Sequence, residues 1–189
     1  RRMFSPAGCF RIVEGPSTPD ETLIGINQLA LRRAMKFMHT IGAIGQMGAM
    51  ACLLVLLSFV PAPTSLSEYA LMRGAMGGIA TWIFLPSLGL VLITGLLAIA
   101  LNPGYHSAGW AWVKLFSGIL VFEWGFAAVQ GPMQQEAELS ARALAHQVDP
   151  AALAASLGAE WKSLWVLLAV ATANVILGIW RPRLTRIPD

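Results

Sequence analysis

Few side chains in this sequence can do chemistry, and those that can lie in apolar surroundings: Lys36, His39, Lys114 and Glu123. An imidazole suits iron, copper or zinc, an ammonium pairs with carboxylates, and an intramembrane carboxyl can relay a proton. Lys36, His39, Ala43, Gln46 and Met50 recur at steps of three or four, which puts them on one helical face. Such a face belongs in a bundle interior rather than against lipid. The plainer reading has Lys36 and Lys114 snorkelling to headgroups and His39 hydrogen-bonded to a neighbouring carbonyl. Glu123 lies nine residues beyond Lys114, about 900° of helix rotation and so on the opposite face. It is expected to be protonated, to reach the surface, or to contact Arg73, with a proton relay as the functional alternative.

Metal chemistry rests on very few donors. Of His39, His106 and His146, only His39 falls at membrane depth, and no HxxxH pair exists for a bis-histidine haem. Met35, Met38, Met47 and Met50 lie near Cys52, a set that suits copper(I), although methionine is also an ordinary filler of irregular gaps. Cys9 and Cys52 fall outside and inside the apolar region, and neither belongs to a CxxC, so neither a disulfide between them nor redox dithiol chemistry is expected.

The elements that position these groups follow from composition. Of 189 residues, 56% are hydrophobic and 12% charged, against about 25% charged in a soluble domain. With a mean hydropathy of +0.63, a soluble enzyme, a disordered tail and a nucleic-acid module are excluded. The expected fold is an all-α integral membrane four-helix bundle. A span takes about 20 apolar residues, and four stretches qualify, at about 34–60, 74–101, 107–130 and 161–180. Pro61-Ala62-Pro63, Asn102-Pro103-Gly104, Gly131-Pro132 and Arg181-Pro182-Arg183 are the expected stops. Residues 1–32 form an extramembrane segment, the transmembrane domain covers 33–181, and 182–189 form a tail. The chain opens on Arg1 rather than Met, which reads as processing or an incomplete stretch, and no signal peptide is legible.

The net charge of +3 is placed asymmetrically. Arg1, Arg2, Arg11, Arg32 and Arg33 precede span one, Lys36 stands at its start, and Arg181, Arg183 and Arg186 follow span four, so both termini are expected in the cytoplasm. Spans one and three then run in the same direction, and His39 and Lys114 share the cytoplasmic leaflet. Between spans three and four, residues 133–158 read as an outer, interfacial helical hairpin: a helix from Gln134 to His146, then Asp149-Pro150 and an Ala-rich piece. Trp110, Trp112, Trp161, Trp165 and Trp180 fall near span ends, where indole favours the headgroup layer. Gly74 and Gly78, with Gly42, Gly45 and Gly48, read as helix-packing positions. Thr81, Ser87, Thr94 and Asn174 are candidates for interhelical hydrogen bonds, and Pro86 is expected to kink span two.

Several of these pieces also carry a family likeness. The run Lys36-Phe37-Met38-His39-Thr40-Ile41-Gly42-Ala43 resembles the first-helix motif of the HemJ-type protoporphyrinogen oxidases and CopD-like copper-resistance membrane proteins. Leu85-Pro86-Ser87 with Thr94-Gly95-Leu96, Trp110-Ala111-Trp112-Val113-Lys114, and Gly131-Pro132 agree with that group in order, so the resemblance covers about residues 33–132. Gly45-Gln46-Met47-Gly48 departs from the group's Trp-x-x-Gly, and no Arg follows it in that helix. The resemblance implies a haem b held within the bundle of a bacterial inner-membrane protein. His39 would then stand at the position of the metal ligand, and Lys114 at that of the span-three lysine that meets propionate or substrate carboxylates. The alternative function is a non-catalytic accessory or assembly subunit, with membrane-protein partners or a second copy of the chain, and copper handling through the methionines is a third reading.

Overall fold

The computed structural model describes residues 19–101 and 109–180, with side chains from residue 29 onward. The described residues are helical throughout apart from short turns, and four helices are long and apolar enough to cross a membrane: Leu29–Ser58, Leu66–Ala100, Gly109–Leu144 and Pro150–Trp180. The chain is a multi-pass membrane protein built as a four-helix bundle. Its elements are α1 (Pro19–Ser58), α2 (Leu66–Ile79), α3 (Leu85–Ala100), α4 (Gly109–Gly125), α5 (Gly131–Leu144) and α6 (Leu157–Trp180). The fold divides after Ala34, and the packing described below is that of the larger unit, from Met35 on.

One expected helix stop differs from the structure. Gly131-Pro132 does not end the helix: α4 runs through a π-turn, Phe126–Gln130, straight into α5. Pro86 is likewise preceded by a π-turn, Ala80–Phe84, which joins α2 to α3. A helical proline lacks the N–H of the i→i−4 ladder, and its ring presses on the carbonyl one turn back. A single π-turn widens the helix at that point and lets it continue. Both prolines stand at the second residue past their π-turn.

Helix ends shift accordingly. The second long helix starts at Leu66 rather than near Gly74, and α6 starts at Leu157 rather than near Trp161. At 35 residues, Leu66–Ala100 is about 50 Å long, against a hydrocarbon core of about 30 Å. It must therefore extend well past the core. The helix expected from Gln134 to His146 is present from Gly131, as a continuation of α4, and stops at Leu144. His146 takes φ 59°, its N–H donates to the Ala143 carbonyl and that of Gln147 to the Arg142 carbonyl. That is a Schellman cap, with histidine where glycine is usual. Asp149 Oδ1 then accepts from the Ala151 N–H, starting the short 3₁₀ turn Pro150–Ala152 that leads to α6.

The core is apolar and contributed by all four long helices. Met50 and Leu53 of α1, Met76, Phe84 and Leu88 of the second helix, Val129 and Met133 of the third, and Leu164 and Leu167 of α6 form one buried cluster. Close approach depends on small residues, though not the pair expected. Nothing lies within 4 Å of a Cβ built on Gly74 or Gly78, whereas one on Gly77 would meet Ala137 Cβ at 2.9 Å. Gly77 is therefore the contact through which α2 lies on α5.

Candidate functional site: the His39 seam and the buried ion network

Helix α1 meets α3 along a glycine seam. A Cβ on Gly42 would stand 3.1 Å from the Ser87 carbonyl oxygen, and one on Gly45 would collide with Ser87 Oγ. With no side chain at either position the two backbones come close enough for short polar side chains to bridge them. One turn before Gly42, the half-buried His39 does so, with Nδ1 2.9 Å from Thr94 Oγ1. The Thr94 hydroxyl donates its single proton to the Leu90 carbonyl at 2.6 Å. With that proton on Leu90 its oxygen can accept from Nδ1, an assignment that puts the imidazole proton on Nδ1 and leaves Nε2 as the acceptor. Directly beside the ring, a Cβ on Gly95 would come only to 3.9 Å from His39 Cε1.

The face that carries His39 turns inward along its length. Lys36 is exposed, His39 and Ala43 half-buried, and Gln46 and Met50 are 5% and 0% exposed. Lys114 lies on α4, half-buried, with its ammonium against α6: a Cβ on Gly178 would stand 2.9 Å from Nζ. It is close enough to His39 for its charge to act on the imidazole. One turn beyond Lys114, Ser117 donates to Asn174 Oδ1 at 2.7 Å, which ties α4 to α6. The structure thus places His39 and Lys114 on different helix pairs of the same region. Expected hydrogen bonders Thr94, Asn174 and Thr81 all act between helices, Thr81 by donating to Gln134 Oε1 at 3.1 Å.

The methionines of α1 diverge: Met50 is fully buried in the core, while Met38 is 42% exposed and Cys52 is on the surface. Among the described residues no three His, Cys, Asp or Glu side chains come together as a metal site. His106, Cys9 and the terminal arginines lie outside the described residues.

A second polar cluster was not anticipated. Arg73 of α2, fully buried, donates from Nη1 to Glu160 Oε2 of α6 at 2.7 Å, an ion pair 0% and 1% exposed. Its Nε donates to the Tyr69 hydroxyl at 3.1 Å, its guanidinium lies over the Tyr69 ring, and Nη2 is buried without a protein partner. Tyr69 in turn donates to Glu136 Oε1 of α5 at 2.6 Å, and the same oxygen accepts the Ala154 N–H at 2.8 Å. Ser156 Oγ closes the set on Glu160 Oε1 at 2.7 Å. Ala154 is held at φ 67°, a left-handed conformation that costs a non-glycine residue about 1–2 kcal/mol. Its bond to Glu136 offsets that strain. Arg73 therefore belongs to Glu160 and not to Glu123, and Glu136 and Glu160 are interior groups. The sequence signal was the i, i+4 pair Tyr69 and Arg73, which a helix starting at Leu66 puts on one face.

Glu123 is exposed on the side of α4 away from Lys114, at the edge of a groove of about 520 Å³ lined by Leu85, Gly89, Phe122, Glu123 and Phe126. No protein-family model, curated protein or solved structure matches this chain.

Proposed function

We propose that this chain is a bacterial inner-membrane protein, termini in the cytoplasm, that holds one haem b through His39 and uses it for redox or porphyrin chemistry. The observation that carries this reading is the hydrogen bond between His39 Nδ1 and Thr94 Oγ1. Metal-binding histidines are almost always oriented by a hydrogen bond from the other ring nitrogen, and Thr94 supplies that bond while leaving the Nε2 lone pair for an iron. The donor set fits a haem with a single protein imidazole, and glycine at position 95 leaves the ring uncrowded on the α3 side. Lys114 supplies positive charge in the same region, which suits propionates or an anionic substrate. Bound haem would contribute one-electron chemistry; the chain's own part is to orient the imidazole, fix its proton on Nδ1 and present the ammonium.

The orientation follows from the basic residues that flank the first and last spans. Residues 133–158 then lie toward the outer face, with α5 rising out of span three and returning through the 3₁₀ turn to α6. A second reading, a non-catalytic accessory subunit, is favoured by the Arg73 cluster. Among the described residues, this network of buried polar groups spends its charges on joining helices.

Haemin titration of detergent-purified apoprotein tests the first reading. One equivalent bound by the parent chain, with Thr94→Val weakening binding by about 10–100-fold and His39→Ala abolishing it, is the expected result. Equal binding by all three proteins would remove His39 from the site. Failure of the parent chain to bind, with a partner protein retained in mild detergent, would favour the accessory reading.

A further inference from the structure

A cavity of about 250 Å³ opens beside the Arg73 cluster, between α5 and the turn that leads to α6, with Gln135, Glu136 and Ser156 in its walls. Glu136 is 5% exposed, and its two oxygens differ. Oε1 accepts from the Tyr69 hydroxyl and from the Ala154 N–H. Oε2 has no bond to any described residue, yet the one fully buried side-chain N or O without a partner among those residues is Arg73 Nη2. Oε2 is therefore open, and the cavity is what it opens onto. The two bonds on Oε1 fix the carboxylate plane, so the open oxygen is an acceptor already in place for a ligand.

The rest of the wall has the same polarity. Arg73 is matched by Glu160, which leaves the Glu136 carboxylate without an ion-pair partner among the described residues. Ser156 Oγ gives its proton to Glu160 Oε1, so toward the cavity its oxygen only accepts. Gln135 adds an amide carbonyl. The site is also within reach of polar molecules. Glu136 lies about 40 Å of rise beyond Gly109 in the helix Gly109–Leu144, against about 30 Å of hydrocarbon.

We infer that this cavity binds a primary ammonium group on a short aliphatic stem, carried by a free alkylamine or by the ethanolamine headgroup of a lipid. An ammonium brings three N–H donors, which Glu136 Oε2, Ser156 and Gln135 can accept, and Pro132, Leu139 and Ala155 give the stem an apolar wall. The volume falls below the roughly 300–1,000 Å³ of most small-molecule sites, which limits the stem to a few carbons. A divalent ion is a poorer match, because it takes about six or more oxygens and no three acidic, histidine or cysteine side chains gather among the described residues. The inference does not depend on the reading of His39.

The test is saturation-transfer NMR on the full chain in phosphatidylcholine nanodiscs, with n-butylammonium as the probe. The controls are n-butyltrimethylammonium, which has no N–H, and n-butanol, which has no charge. The parent chain is expected to bind butylammonium at least about tenfold more tightly than either control. Glu136→Gln, which replaces the open acceptor with a donor, and Ala155→Trp, which fills the cavity from an exposed position, should each weaken binding by about tenfold or more. Helix content should be unchanged by circular dichroism, and Ala155→Trp decides the question if Glu136→Gln is poorly folded. Parent-level binding in both variants, equal binding of the three probes, or no binding by the parent chain at up to about 100 mM would overturn the inference. Native mass spectrometry with phosphatidylethanolamine and phosphatidylcholine separates the two sources. Preferential retention of the ethanolamine lipid, lost in Glu136→Gln, assigns the site to a headgroup, and equal retention of both lipids assigns it to free amines.

Discussion

The ion network around Arg73 shows how single residues hold this molecule together. A buried pair is weak evidence of net stabilisation, but removing one member strands the other. Glu160→Gln leaves the Arg73 charge buried and uncompensated, and is expected to cost about 3–5 kcal/mol. Tyr69→Phe removes one donor from Glu136 and one acceptor from Arg73, with an expected loss of about 1–3 kcal/mol. The double variant Arg73→Met with Glu160→Leu removes both charges and should recover most of the loss. Reversible unfolding in mixed micelles reads all three, and a double variant as unstable as the worse single one would contradict this account. Position in sequence concealed the network. Glu136 and Glu160 stand among charges that look solvated, and their partners lie on helices 60 or more residues away in the order Tyr69 to Glu136 and Arg73 to Glu160. His39, by contrast, stands out in the sequence as the one histidine at membrane depth, and the structure gives it Thr94 as a partner.

At the scale of elements, glycine and proline carried different amounts of information. Of the three glycines read as packing positions in span one, Gly42 and Gly45 contact α3, whereas nothing lies within 4 Å of a Cβ on Gly48. Gly74 and Gly78 match a packing motif but sit on open sides of their helix, and Gly77 between them makes the contact. The motif's spacing does not say which face of a helix meets a neighbour. Pro86 and Pro132 were read as a kink and a stop because a proline's lost hydrogen bond is a local fact, whereas its repair by a π-turn depends on the surrounding packing. The seam itself yields a prediction. Gly45→Leu drives a side chain into Ser87 and should separate α1 from α3, with an expected cost of about 1–3 kcal/mol. Because His39 lies on the same seam, the variant should also lose haemin binding. The same substitution at Gly74, which faces open space, should change stability by less than about 0.5 kcal/mol, and equal effects at the two sites would rule out the seam as the basis of the contact.

For the whole molecule, composition was decisive: a chain with 12% charged residues and 56% hydrophobic ones cannot cover a water-facing surface. Four long apolar helices follow from the same pattern, and an even number of crossings returns the chain to its starting side. Reporter domains fused to each end are expected to report the cytoplasm in both cases, and opposite sides would require a different number of crossings. The His39–Thr94 contact and the buried ion network lie in different parts of one bundle, and the network holds α2, α5 and α6 together.

In the proposed function His39, oriented by Thr94, ligates haem iron. The most direct test is a reduced-minus-oxidised absorption spectrum of the chain purified from haem-replete cells, beside His39→Ala. Soret and α bands of the b type in the parent chain, and their loss in the variant, are expected. A colourless parent chain, or bands of equal intensity in both proteins, would contradict it.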